Sequence, residues 1–387
     1  MNTVIYFDNN ATTQVAPEVV EVMMPFFSEY YGNASSMHTF GGAVGRYIQN
    51  AREQVASLIG AEPEEVFFTS CGTESDASAI WSAIQLHPEK RHIITTRVEH
   101  AAILSVCNNL ESKGYKVTYL DVDNKGRLDL DELRSSITHN TAIVSIMYAN
   151  NETGTIFPIQ QIAEIVKEKD VLFHTDAVQA VGKIPVDLKA LNIDYLSLSG
   201  HKIHAPKGIG AFYVKTGTRY RPYLRGGHQE FNRRAGTENV PYVIGLGKAA
   251  ELAQDYLEKT NGDDIKVLRD NLEKQILTIT DTVVNGDIDN RVPNTTNISF
   301  RNIEGEAILL LMDQHGICAS SGSACTSGSL EPSHVLRAMG VPFTYAHGSI
   351  RFSLSRYSTA DEVNIVVKEL PAIIERLREI SPFKIDT

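Results

Sequence analysis

Seven short runs of β-branched and aromatic residues, spaced by amphipathic segments, constrain this chain more than any other feature. They are EVFFTS (65–70), RHIITT (91–96), KVTYL (116–120), AIVSIMYA (142–149), VLFHTDA (171–177), YLSLSG (195–200) and IGAFYV (209–214). Each is bounded by Gly, Asn or charge and reads as a strand. Between several of them lie segments of helical period, such as ESDASAIWSAIQLH and IQQIAEIVKEKD. Strands alternating with helices predict an α/β fold with a parallel or mostly parallel sheet covered on both faces. Ligands of such sheets bind beyond the carboxyl ends of strands, so the residues just after each run are the first suspects. Past residue 240 the texture changes. A long helical stretch over 243–279 bridges into a C-terminal region with NISFRNIE, a Ser/Gly-rich loop, GSIRFSLS and a final amphipathic helix.

A length of 387 residues suits one large domain and a smaller one. No stretch approaches the run of about 18 apolar residues that a membrane span needs. The net charge of −11, without a Lys/Arg cluster, argues against nucleic acid as a direct partner. The start MNTVIYFDNNATT lacks the basic and apolar regions of an export signal, so a cytoplasmic location is expected. The four cysteines, Cys71, Cys107, Cys318 and Cys325, form no CxxC pair and no metal-ligand spacing, and read as free thiols. Cys107 falls in a helical pattern and reads as core. Cys325 sits in ASSGSACTSGSLEPSH (319–334), a stretch poorly suited to hold a structural thiol still.

Four strand ends carry polar residues that need a purpose: Thr69–Glu74, Asn150–Gly154, Thr175–Gln179 and Ser199–Lys202. Brought together, they supply a lysine, a carboxylate, several amides and a Gly/Thr-rich helix start. The Gly72-Thr73 turn offers backbone N–H groups and a helix N-terminus, a seat for phosphate. Lys202, between neighbouring polar groups, can form a Schiff base. Asp176 can keep a pyridine nitrogen protonated. Those are the binding requirements of pyridoxal phosphate.

The blocks YFDNNATT (6–13), FTSCGTESD (68–76), VEHAAIL (98–104), ANNETG (149–154), HTDAVQ (174–179), LSGHKIHAPKG (198–208), RAGTEN (234–239), SSGSACTSGSLEPSHVLRAMG (320–340) and IRFSLSRY (350–357) span nearly the whole chain. In them the chain resembles the NifS-type cysteine desulfurases, class-V-aminotransferase-like enzymes of pyridoxal-phosphate fold type I. The resemblance implies a large domain over 14–255 with a mostly parallel seven-stranded sheet. A smaller α+β domain would comprise 1–13 and 256–387 and carry a mobile cysteine loop at about 319–333. It further implies that Lys202 holds the cofactor, that Asp176 partners its ring nitrogen, and that Gln179 bonds its ring hydroxyl with Asn151 close by. Gly72, Thr73, Ser199, Gly200 and His201 would hold the phosphate. Thr237 would complete that site from a second subunit, which makes a homodimer. His100 would stack on the ring and assist proton transfer, and Arg351 would clamp the substrate carboxylate, a task that suits a guanidinium fork.

The implied reaction takes sulfur from L-cysteine and leaves L-alanine, with Cys325 as the thiolate that receives the sulfur as a persulfide. An iron–sulfur scaffold protein or another acceptor would take it onward, in nitrogenase cluster assembly or a housekeeping role. Whether Cys325 also ligates an iron–sulfur cluster transiently through its persulfide stays open. The Ser/Gly composition of the loop suits an excursion between substrate and acceptor. Cys318 is a rival thiol, standing where many family members have Ala. An aminotransferase or selenocysteine lyase would share Lys202, Asp176 and Arg351 without requiring Cys325.

Overall fold

A computed structural model describes residues 4–321 and 331–381 of the chain. Cys325 therefore lies outside the described residues. The described strands are β1 (Ile5–Tyr6), β2 (Val66–Thr69), β3 (His92–Thr96), β4 (Lys116–Leu120), β5 (Thr141–Ser145), β6 (Leu172–Asp176), β7 (Tyr195–Ser199), β8 (Gly210–Val214), β9 (Thr282–Asn285), β10 (Thr295–Phe300), β11 (Ile317–Cys318) and β12 (Ser349–Ser353). Seven of them form one sheet in the order β2-β8-β7-β6-β5-β3-β4, parallel except for β8, which runs against β2 and β7. The fold is the expected α/β type.

Every residue of β2, β3, β5, β7 and β8 is buried. Helices cover both faces, so these strands read as continuous apolar runs rather than alternations. β4, at an edge, is mostly half-buried or exposed, and β6 is buried beyond its half-buried first residue, Leu172. The run AIVSIMYA was expected to be strand throughout, yet β5 stops at Ser145. Ile146 and Tyr148 still donate backbone bonds to His174 and Asp176 on β6, at 3.1 and 2.8 Å. The chain then turns away into Asn150–Gly154, so the bonds to β6 run on past the end of the regular strand.

The long helical stretch after residue 240 is two helices, Val240–Thr260 and Asp263–Ile276. Asn261 (φ 51°) and Gly262 (φ 76°) are both left-handed and end the first helix. Asn-Gly is a turn and helix-stop signal because both residues tolerate that conformation. Apolar periodicity runs across the break, and the stop residues outrank it.

A second hydrophobic cluster joins the two ends of the chain. Ile5 and Phe7 pack with Ile298, Phe300, Ile350, Phe352 and Val363. Here β1 pairs parallel with β11, and β12-β10-β9 form an antiparallel sheet. Asn9 and Asn10 donate backbone N–H bonds to Ser353, and Thr13 N–H donates to His201 O. The segment 8–13 thus bridges β12 to the end of β7, and the cleft forms at that junction.

Candidate active site

One cleft of about 480 Å³ gathers the strand-end residues. Of the expected site residues, Lys202, Asp176, His100, Gln179, Asn151, Gly72, Thr73, Ser199, His201 and Arg351 all line it. Gly200 does not; it is buried where an added Cβ would meet Ile209 and Ala205 at 2.9 and 3.0 Å, a packing requirement. Thr237 is exposed and outside the cleft of its own chain.

Lys202 ends the short 3-10 turn Gly200–Lys202 after β7. Its Nζ donates to the backbone carbonyls of Asn10 and Ala11, the latter at 2.8 Å. Asn10 is held in turn by Thr295 Oγ1, Asn151 O and Ser353 Oγ, and its Oδ1 accepts from Lys183. Gln179 Nε2 donates to the same Asn10 carbonyl, and Gln179 Oε1 accepts from Lys183. Burial, then Lys202 and Arg351, push Lys183 well below the ordinary lysine range. Residues of the N-terminal segment thus set the position of both Lys202 and Gln179.

Asp176 terminates β6, and its Oδ1 accepts from Val178 N–H at 2.9 Å. Burial pushes its carboxyl up, against the pull of His100, Val178 and Lys202. His100 caps the helix Ala101–Glu111, its Nδ1 accepting from Ala102 N–H at 3.2 Å. That bond commits Nδ1 as an acceptor, so the neutral ring carries its proton on Nε2. Burial lowers the His100 pKa, Asp176 opposes this, and Lys202 and His334 add to it. Protonating Nδ1 would also cost the helix its cap.

The cleft also holds an anion cup. The helix Gly72–Leu86 starts directly after β2 with Cys71, half-buried, at its N-cap. Thr69 Oγ1 lies 2.8 Å from Ser75 Oγ, which also donates to Ala211 O, so the first turn is fixed to β2 and β8. A Cβ at Gly72 would stand 2.9 Å from Val178 Cγ2, so only glycine lets the helix start come this close. Ser199 Oγ is buried there without a hydrogen-bond partner. His201, with burial, Lys202 and Lys207 lowering its pKa to about 4, is a neutral donor or acceptor, and its Nδ1 is 3.2 Å from Thr12 Oγ1. An orphaned hydroxyl beside a glycine-opened helix N-terminus fits a phosphate group. A buried carboxylate, Asp176, lining the same cleft fits a protonated ring nitrogen. The residues present therefore fit pyridoxal phosphate.

Arg351, on β12, completes the cleft. Its Nη2 donates to Asp8 Oδ1 at 2.7 Å and its Nη1 to Asn151 O at 3.1 Å, while its Nε is buried without a partner.

A family model, that of the class-V aminotransferases, matches residues 5–366. The chain belongs to the aminotransferase class-V family. Within it, a Trichormus azollae cysteine desulfurase is 63% identical over 385 residues, 99% of this chain and 96% of that protein. The Azotobacter vinelandii cysteine desulfurase NifS is 57% identical over 381 residues, 98% and 94% of the two chains. Among solved structures of similar fold, a NifS-like protein superposes with a TM-score of 0.91 at 40% identity, covering 97% of this chain and 100% of that one. SspA, solved in complex with cysteine, has a TM-score of 0.81 at 36% identity, covering 92% and 100%. Class-V membership and the seven-stranded sheet agree with fold type I.

Several residues escaped the sequence reading: Asn10, Asp76, Glu152 and His334 in the cleft lining, and Asp8 as the partner of Arg351. Asp8 and Asn10 lie in the block YFDNNATT and Glu152 in ANNETG, so the blocks were visible but not the individual roles.

Proposed function

We infer that this chain is a cysteine desulfurase that uses pyridoxal phosphate. The carrying observation is the meeting of Lys202, Asp176, the Gly72/Ser199 cup and Arg351 in one cleft. Lys202 would hold the cofactor, Asp176 its ring nitrogen, Gln179 its ring hydroxyl, and Gly72, Thr73, Ser199 and His201 its phosphate. Bound there, the group supplies an electron sink that acidifies the substrate Cα–H. Lys202 takes that proton. Arg351 holds the substrate carboxylate, using the donors that Asp8 and Asn151 leave to it. His100, neutral and with its proton on Nε2, offers a hydrogen-bond donor into the cleft.

Sulfur leaves by attack of the Cys325 thiolate on the substrate sulfur. The S–S bond forms as the Cβ–S bond breaks, the electron pair passes to Cβ, and Cβ takes a proton on the way to L-alanine. An unperturbed thiol of pKa ~8.5 is only a few per cent thiolate at neutral pH. An acceptor, in our reading an iron–sulfur scaffold protein, then takes the persulfide sulfur. The identity with the Azotobacter vinelandii NifS favours the nitrogen-fixation type of supply.

The same reading makes the enzyme a homodimer in which Thr237 serves the phosphate site of the partner subunit. Arg234 ties the loop bearing Thr237 to Glu74 at the start of the cup helix, at 2.8 Å. An exposed aromatic group, Tyr30, Tyr31, Phe40 and Tyr47, offers interface material. A cytoplasmic location suits free thiols; among the described residues no helix is long and apolar enough to cross a membrane. The division into 14–255 and 1–13 with 256–387 is supported by the separate cluster around Phe7, Phe300 and Phe352.

The deciding experiment counts alanine formed per cysteine consumed, with and without Cys325. One alanine per cysteine in the wild type and none in Cys325→Ala supports the reading. Full activity without Cys325 would point to a different member of the family.

A further inference from the structure

The two flanks of residues 322–330 are tied to the cleft by different means. Upstream, Ser320 and Arg351 exchange backbone hydrogen bonds of 3.2 and 2.6 Å, so that flank runs beside the strand carrying the carboxylate clamp. Downstream, Ser333 Oγ donates to Glu152 Oε2 at 2.5 Å. The same oxygen accepts from Val335 and Leu336 N–H at 3.0 and 3.4 Å, capping the helix His334–Ala338. Next to it, His334 Nε2 lies 3.0 Å from the Glu99 carbonyl. Glu152 and Ser333 are 2% and 4% exposed.

Glu152 is an unusual choice for a buried anchor, because burial pushes its carboxyl up against the pull of Ser333, His334 and Arg351. A buried acid costs stability unless it is satisfied. Its turn is rigid: Asn150 Oδ1 accepts from both Glu152 and Thr153 N–H, at 2.9 and 3.0 Å, and Asn150 Nδ2 donates to Val98 O. The residue between, Asn151, gives its carbonyl to Arg351. One short turn therefore holds the carboxylate clamp by one residue and the downstream flank by the next.

We propose that Glu152 is a positioning residue for sulfur transfer: by holding Ser333 it fixes the described residue to which the thiol-bearing segment is covalently joined, from the same turn that holds the Arg351 clamp. Cys325 lies eight residues upstream of Ser333, and only that covalent connection is used. At ~3.3–3.6 Å per extended residue, a displaced anchor moves the reachable volume of the thiol. Nucleophilic attack on sulfur is steeply sensitive to such misplacement. The proposal rests on the desulfurase reading above.

The test compares Glu152→Ala, Glu152→Gln, Ser333→Ala and the double alanine variant as holoenzymes. Two reactions are followed: alanine formation from cysteine, and solvent-deuterium exchange at the Cα of L-alanine, which needs Lys202 and the cofactor but no thiol. Glu152→Ala and Ser333→Ala should each lose about tenfold in alanine formation, the scale of one buried hydrogen bond, and keep the exchange rate. Glu152→Gln, which retains an accepting oxygen, should stay within about threefold of wild type on the same scale. The Glu152→Ala loss should vanish in a Ser333→Ala background, because the two share one bond. Parallel loss of both reactions, additive losses, or unchanged alanine formation would overturn the proposal. If Glu152→Ala does not fold, Ser333→Ala with its exchange control still decides. Failure of the desulfurase reading itself would show differently, as no alanine from the wild type.

Discussion

Arg351 Nη2, in the cleft, and Asp8 Oδ1 form a 2.7 Å ion pair that joins the C-terminal half of the chain to its N-terminal segment. The proposed substrate clamp is thus already neutralised by a fixed anion. Asp8 both orients the guanidinium and competes with an incoming carboxylate for its charge. Replacing Asp8 by Asn keeps an accepting oxygen and removes the competing charge. The KM for cysteine should fall about threefold to tenfold, and Asp8→Ala, which loses the orientation too, should raise it. Steady-state kinetics on both variants checks the point; a higher KM in Asp8→Asn would mean that the full ion pair positions Arg351.

The anion cup yields a prediction that needs no turnover. A Cβ at Gly72 would stand 2.9 Å from Val178 Cγ2 and 3.6 Å from Ser199 Cβ. Gly72→Ala must therefore push the helix start away from the strand ends and from any phosphate seated there. Cofactor affinity, measured by equilibrium dialysis, should fall at least about tenfold, with Ser199→Ala weaker by about tenfold to a hundredfold, the scale of one hydrogen bond to a charged group. Lys202→Ala should still bind the cofactor but lose the visible band of the lysine adduct. A Gly72→Ala protein with undiminished affinity would place the phosphate elsewhere.

Cys318 and Cys325, seven residues apart in the chain, should behave oppositely. Cys318 ends β11, and burial, followed by Asp313 and Asp8, pushes its thiol up. It is therefore held as the unreactive thiol, since only thiolate attacks. Cys318→Ala should keep most of the alanine-forming activity, within about twofold, whereas Cys325→Ala should abolish it. Persulfide labelling followed by peptide mapping gives the same contrast. Label on Cys318 in the wild type would reverse the assignment.

Lys202 and Asp176 were legible because each stands at the end of a strand that its own apolar run announces, whereas His100 was reached only through the family resemblance of its block. Cys325 stood out because Ser and Gly around it exclude a packed role. The partners that position these residues were not legible for a physical reason. Lys202 bonds to a carbonyl 192 residues away and Arg351 to a carboxylate 343 residues away. Such bonds are made by single side chains across the closed chain, and they leave no periodic trace. Glu152 is the sharpest case, because a carboxylate in a polar turn reads as solvated until Ser333 is folded over it. The break at Asn261-Gly262 was visible in the residues themselves, and apolar periodicity hid it.

Glu99, beside His100, gives a pH-dependent test of the cleft's electrostatics. Its Oε1 accepts from Thr96 Oγ1 and Met147 N–H, while its Oε2 is buried without a partner. Burial pushes its carboxyl to about 8, opposed by those two donors and reinforced by Asp176. An unfolded glutamate titrates near ~4.3. Between these values the native state holds a proton that the unfolded chain releases. Glu99 therefore contributes stability that is fully present below ~4.3 and is lost as pH rises through about 8, at up to ~1.4 kcal/mol per unit. Glu99→Gln carries no such titration. Relative to wild type it should gain stability as pH rises from 5 to 8, by on the order of 3 kcal/mol, read from urea midpoints at several pH values. Parallel stability curves for the two proteins would mean that Glu99 is already ionised in the native state.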